Sequence, residues 1–191
     1  MNIQSVTPRR RMQGFTMIEL IVVIVILGIL AAVALPRFTN IQRDARIAKL
    51  NAARGAVQAA AAMIHGTALA RGGIQDAGNC AGGGGRANNL LGNAGTVCTE
   101  NGLITMVNGY PAATVAGIVS ASGLTSVMNP NAAQLAADGY QTNGNNPIVI
   151  RVLGGRDPNT CFFRYTAAAA NAAPRVGAVI PAGADGDTAG C

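Results

Sequence analysis

The sequence predicts an α+β protein. One long N-terminal α-helix, its first half suited to spanning a membrane, packs on a four-stranded antiparallel sheet. Three observations predict it. Phe15 to Leu35 is an almost unbroken apolar run of 21 residues, about 31 Å long as a helix and therefore long enough to cross the hydrocarbon of a bilayer. The Ala-rich stretch that follows keeps helical character to about residue 70. Beyond residue 99, short β-type runs alternate with Gly, Asn and Pro turn signals.

Composition narrows the function classes. The 191-residue chain is half hydrophobic but only 4% aromatic, with no Trp and 25 Gly, so much of its apolar count is small side chains suited to a long helix and a lightly packed domain. Its net charge of +6 is partly an N-terminal effect, because Arg9, Arg10 and Arg11 supply half of it. No Lys/Arg run with interleaved aromatics follows, which argues against a dedicated nucleic-acid surface. No nucleophile–base–orienter set, metal-ligand spacing or nucleotide loop suggests an enzyme, and no cofactor is expected.

The apolar run carries one charge, Glu19. A carboxylate there costs a few kcal/mol on insertion scales, which marks it as functional and in need of a partner. Upstream lie Arg9–Arg11 and Gly14. A conventional secretory signal cut after Ala34 is the rival reading. The charge inside the run, its length and Pro36 just past that cut argue against it. Lys/Arg counts flanking the run are nearly balanced and do not orient it. The cysteines do, since a domain with disulfides lies outside the cytoplasm.

From Pro36 to residue 70, Ile41, Ala45, Ala48, Ala52, Ala56, Ala59, Ala60, Met63 and Ile64 recur at three- and four-residue steps, the expected buried stripe. Helix from residue 15 to 70 is about 80 Å long, with Pro36 and Gly55 as the places where it bends or loses hydrogen bonds. Arg43, Arg46 and Lys49 lie along another line, read either as a solvated face or as a contact to filament neighbours or lipid headgroups. His65, the one histidine, has no second ligand or nucleophile near in sequence and reads as a packed or surface residue.

Residues 71–98 form a Gly- and Asn-rich connecting loop. Its Gly82–Gly85 run lacks the Lys and Ser/Thr of a phosphate loop. Residues 99–191 form the head domain. Leu103–Val107, Pro147–Leu153, Cys161–Thr166 and Arg175–Ile180 read as the four strands, with short helices at Ala112–Ala121 and Ala132–Ala137, and the tail after Ile180 as loop. Cys80, Cys98, Cys161 and Cys191 allow three pairings. The sequential pairs, Cys80–Cys98 and Cys161–Cys191, are the expected ones, and no zinc ribbon fits the spacings. Asp185-Gly186-Asp187 offers two carboxylates to calcium, fewer ligands than that ion needs.

The order basic run, Gly14, Phe15 and Glu19 resembles the prepilin processing signature of type IV pilins and pseudopilins, with Pro36 at the usual kink position. LPRFTNIQRDAR, NGYP and CFFRYT further resemble the mannose-sensitive haemagglutinin pilins. The resemblance implies a pilin fold and a leader, residues 1–14, removed by a prepilin peptidase that also N-methylates Phe15. It implies an inner-membrane precursor with its N-terminus in the cytoplasm and its domain in the periplasm. An assembly platform, an ATPase and minor pilins then help build a homopolymer on the bacterial surface. Residues 15–35 become the filament core, residues 36–70 the amphipathic half of the helix. Glu19 of one subunit neutralises the new Phe15 amine of another. The rival implied by the same motif is the major pseudopilin of a type II secretion system.

Overall fold

The computed structural model describes residues 14–191. The chain forms two compact units, one ending at Ile41 and one running from Gln42 to Cys191. Helix α1 (Met17–Arg71) passes through both.

In the first unit every large apolar side chain from Phe15 to Ile41 is exposed. A helix that is apolar all round cannot rest in water and needs a bilayer or other helices about it. Length and composition make α1 fit to cross a membrane. Pro36 lies inside this helix.

In the second unit α1 buries Leu50, Ala53, Val57, Ala60, Ala61, Ile64 and Ala68, at steps of three and four residues, so they line one face. Most of the stripe expected from sequence is instead outside the core: Ala45, Ala48, Ala52, Ala59 and Met63 are exposed, and only Ala60 and Ile64 are buried. Alanines occur on every side of this helix and do not select a face. Leu50, Val57 and Ile64, which bury more area, do.

The sheet architecture also departs from the four-strand expectation. All pairings are antiparallel, but the strands form two sheets. The first contains β1 (Gly95–Thr99), β2 (Gly102–Val107) and β3 (Tyr110–Pro111). A two-residue Asn108-Gly109 turn joins β2 to β3, both residues having positive φ (51° and 78°), the conformation such tight hairpins require. The second sheet holds β4 (Tyr140–Thr142), β5 (Ile148–Val152), β6 (Phe162–Thr166), β7 (Arg175–Val176) and β8 (Gly186–Asp187). A π-helical turn at Val115–Val119 and helix α2 (Ala132–Ala137) lie between them. Residues 71–98 thus include most of a strand, β1, and the tail after Ile180 contributes β8. Both were hidden because Gly-rich, short segments carry no alternation to read.

Each sheet receives part of the helix. Leu50, Ala53, Val57, Ala60 and Ala61 share a core with Ile148, Ile150 and Val152 of β5 and with Phe163 and Tyr165 of β6. Ile64 and Ala68 pack with Val97, Ile104 and Met106 of the first sheet. The glycine-rich connection is held by polar groups instead. Asn89, fully buried, donates through Nδ2 to Ile74 O at 2.6 Å and Asp76 Oδ1 at 2.8 Å, and Arg71 pairs with Asp76 at 3.0 Å.

Tyr165 links the two sheets. Its buried hydroxyl donates to Pro111 O at 2.7 Å. Burial, with Tyr110 adding to it, raises its pKa well above the ordinary 10.0. Tyr165→Phe leaves the buried Pro111 carbonyl without this donor and is expected to cost about 1–3 kcal/mol at neutral pH. The raised folded pKa gives the sign of the pH effect. The contribution is complete below about pH 10 and declines above it, where the unfolded phenol ionises and the folded one does not. Urea midpoints at about pH 8 and pH 11 test this, with the alkaline loss expected to be smaller in Tyr165→Phe. Tyr140, shifted upward by burial and then Asp138, keeps some alkaline slope in the variant.

Candidate functional site

The site begins where α1 begins. Gly14 and Phe15 precede the helix in non-helical backbone, and both are exposed, Phe15 by 86%. Arg9–Arg11 and most of the expected leader lie outside the described residues.

Thr16 caps the helix. Its Oγ1 accepts from Glu19 N at 3.2 Å, while its own N and Oγ1 donate to Glu19 Oε2 at 3.3 and 3.0 Å. This is a capping box, in which residues three apart satisfy each other's free helix-end groups. Sequence reading did not single out Thr16, although Thr-x-x-Glu ahead of an apolar run is the signal for it. The box turns the carboxylate back toward the N-terminus, where the positive end of the helix dipole favours it. Oε2 is engaged, while Oε1 has no hydrogen bond among the described residues. The capping box thus uses one carboxylate oxygen of Glu19 and leaves the other without a bond among the described residues.

The remaining candidates lie in the second unit. Arg46 donates through Nη1 to Cys191 O at 2.8 Å, and Lys49 donates to Asp138 O at 2.6 Å while lying 4.4 Å from the Tyr140 ring centre. Arg46 and Lys49 therefore bind the chain's own carbonyls, neither free in solvent nor reserved for an outside partner. Arg43 is exposed. Disulfides join Cys80 to Cys98 and Cys161 to Cys191, with Cα atoms 5.3 and 4.8 Å apart. The second ties the end of the sequence to the start of β6, and Arg46 fastens the same residue to α1.

His65 stacks on Tyr110, ring centres 3.9 Å apart and 4° from parallel, with Nδ1 3.1 Å from Gly109 O. It borders a groove of about 430 Å³ with Gln58, Gly66 and Pro174. Asp185 pairs with Arg175 at 3.2 Å, and Asp187 Oδ1 accepts from Ala189 N at 2.7 Å. Among the described residues, no group of three His, Cys, Asp or Glu could hold a metal. Gly82–Gly85 spans a turn beside Cys80, with Gly83 N donating to Cys80 O at 3.0 Å and Gly83 O accepting from Leu103 N at 3.0 Å.

Comparison with known proteins points to the same N-terminal segment. Residues 9–35 match the prokaryotic N-terminal methylation motif. The chain is 49% identical over 53 residues to the type IV narrow pilus major component PilA5 of Thermus thermophilus, covering 28% of this chain and 46% of that one. It is 45% identical over 56 residues to the type II secretion system core protein G of Pseudomonas aeruginosa, covering 29% and 37%. The chain thus spans less than half the length of these curated relatives. No solved structure matches it significantly. The chain is type IV pilin- and pseudopilin-like: its prepilin-type motif runs into the first turns of a long helix, and antiparallel sheets follow.

Proposed function

We propose that this chain is the structural subunit of an extracellular type IV pilus of the mannose-sensitive haemagglutinin kind, used for surface attachment. The observation that carries the reading is the set Gly14, Phe15, Thr16 and Glu19 at the head of an exposed apolar helix, within the matched methylation motif. The precursor sits in the inner membrane, N-terminus in the cytoplasm and head in the periplasm. Prepilin peptidase cuts after Gly14 and methylates Phe15. An assembly platform with its ATPase, together with minor pilins, then moves residues 15–35 from lipid directly into a helical bundle, since this segment has no stable place in water. Pro36 is the kink that lets the helix change direction there.

Glu19 sets the register of that bundle. A misplaced subunit leaves its carboxylate, or a neighbour's Phe15 ammonium, buried and unpaired, which costs several kcal/mol. The similarity to a secretion-system core protein favours a second reading, the major pseudopilin of a type II system. Fibres on the cell surface at native expression separate the two, because the first reading requires them.

Intact-mass and N-terminal peptide analysis of the protein from its native membrane or surface fraction is the direct test. The expected terminus is Phe15 carrying one methyl group. A terminus at Leu35 overturns the reading, since Glu19 and the membrane helix would then be discarded with a signal peptide.

A further inference from the structure

We propose that Arg151 and Arg164 form a carboxylate-binding pair for a second copy of this chain, a contact between the Gln42–Cys191 units of two copies that rests on the assembly reading above. The register sets them side by side. Val149 faces Arg164 and Arg151 faces Phe162 across β5 and β6, so the two arginines are diagonal neighbours. Ile148, Ile150, Phe163 and Tyr165 point into the core with α1. Alternation therefore puts Val149, Arg151, Phe162 and Arg164 on the opposite, outer face.

On that face Val149 and Phe162 are only 7% and 9% exposed. The Arg164 guanidinium covers the Phe162 ring, 5.3 Å from its centre. Both arginines are half-buried, and each Nε is buried with no hydrogen-bond partner. Neither side chain donates to any described residue or has a carboxylate within ion-pair reach. The other half-buried arginines of this unit are engaged: Arg46 with Cys191 O, Arg54 with Gly177 O, and Arg71 with Asp76. The acids on the β8 side of β6, Asp185 and Asp187, lie outside ion-pair distance of both arginines: Asp185 pairs with Arg175, and Asp187 Oδ1 accepts from Ala189 N.

Two permanently charged, partly desolvated groups placed together repel one another, and the orphaned Nε atoms mark guanidinium groups that find no direct hydrogen bond or ion pair among the described residues. A carboxylate bridging their terminal nitrogens compensates both through charge-assisted hydrogen bonds. The same chain offers the complement. Asp44, Glu100 and Asp138 are exposed, and their carboxylates have no hydrogen bond or ion pair among the described residues. In a polymer these acids are delivered to every copy at high local concentration.

The test uses full-length chain carrying Arg151→Lys and Arg164→Lys, which keeps the charge and adds an amine. Labelled and unlabelled copies are co-assembled, treated with a zero-length carbodiimide and digested for mass spectrometry. The expected result is a mixed-isotope cross-link from position 151 or 164 to Asp44, Glu100 or Asp138, with the yield falling about tenfold in roughly 1 M salt. Polymer without such a link, or links only to Asp185 or Asp187 of the same copy, overturns the arginine assignment alone. A chain that forms no polymer overturns the assembly reading and this contact with it.

Discussion

Replacing Glu19 with alanine is expected to abolish surface filaments while leaving cleavage after Gly14 close to normal. Two effects of different size are involved. The capping box loses its side-chain half, which costs about 1 kcal/mol at a helix end. In the filament core the Phe15 ammonium loses its counter-charge, and an unpaired buried charge costs about 3–5 kcal/mol. Glu19→Gln separates them, because glutamine can serve at the third position of a capping box but carries no charge. If the pairing with Phe15 decides assembly, Gln fails as Ala does. Electron microscopy of the cell surface, with the terminus read by mass spectrometry, checks both. Abundant normal filaments in the alanine variant would refute the assigned role, and rescue by glutamine would reassign Glu19 to capping alone.

Removing the Cys161–Cys191 disulfide, by changing both residues to serine, is expected to give the largest stability loss in the head domain. The bridge closes 30 residues, a loop whose constraint on the unfolded chain is worth about 3.5 kcal/mol. Both cysteines are buried in the main core, so the serines would also bury two hydroxyls. Arg46 grips the Cys191 carbonyl, so loosening the tail also strips that acceptor from α1. A drop in melting temperature of about 7–14 °C is expected for a unit of this size. The Cys80–Cys98 pair closes 18 residues and is worth about 3 kcal/mol on the same scale. It staples a connection whose polar network around Asn89 supplies further order, so its loss is expected to be felt less. Calorimetry of the full chain in detergent, with each pair changed separately, ranks them. An unchanged melting temperature in the Cys161/Cys191 variant would show that α1 and β8 hold the tail without it.

The features carried by consecutive residues were legible in the sequence. The apolar run, its one carboxylate, Gly14 before Phe15 and the basic residues upstream are linear facts, and a helix makes neighbours of residues three or four apart by its own geometry. The Thr16–Glu19 box is written in the same way, as Thr-x-x-Glu ahead of an apolar run. The helix-plus-antiparallel-sheet class followed from the change of period after residue 99. Tertiary structure decided what depends on residues far apart in the chain. Alanines surround α1, so only packing against β5, β6 and the first sheet shows that Leu50, Val57 and Ile64 mark its buried face. Four cysteines allow three pairings, and the distances in the fold select the sequential one that was expected. Arg46 and Lys49 read as a free basic line until the chain returns, 145 and 89 residues later, with Cys191 O and Asp138 O. Arg151 and Arg164 are 13 positions apart in sequence and become neighbours through the register of one strand pair. Local propensity and periodicity are written in adjacent residues, whereas long-range pairing depends on loop closure and packing that no single segment encodes.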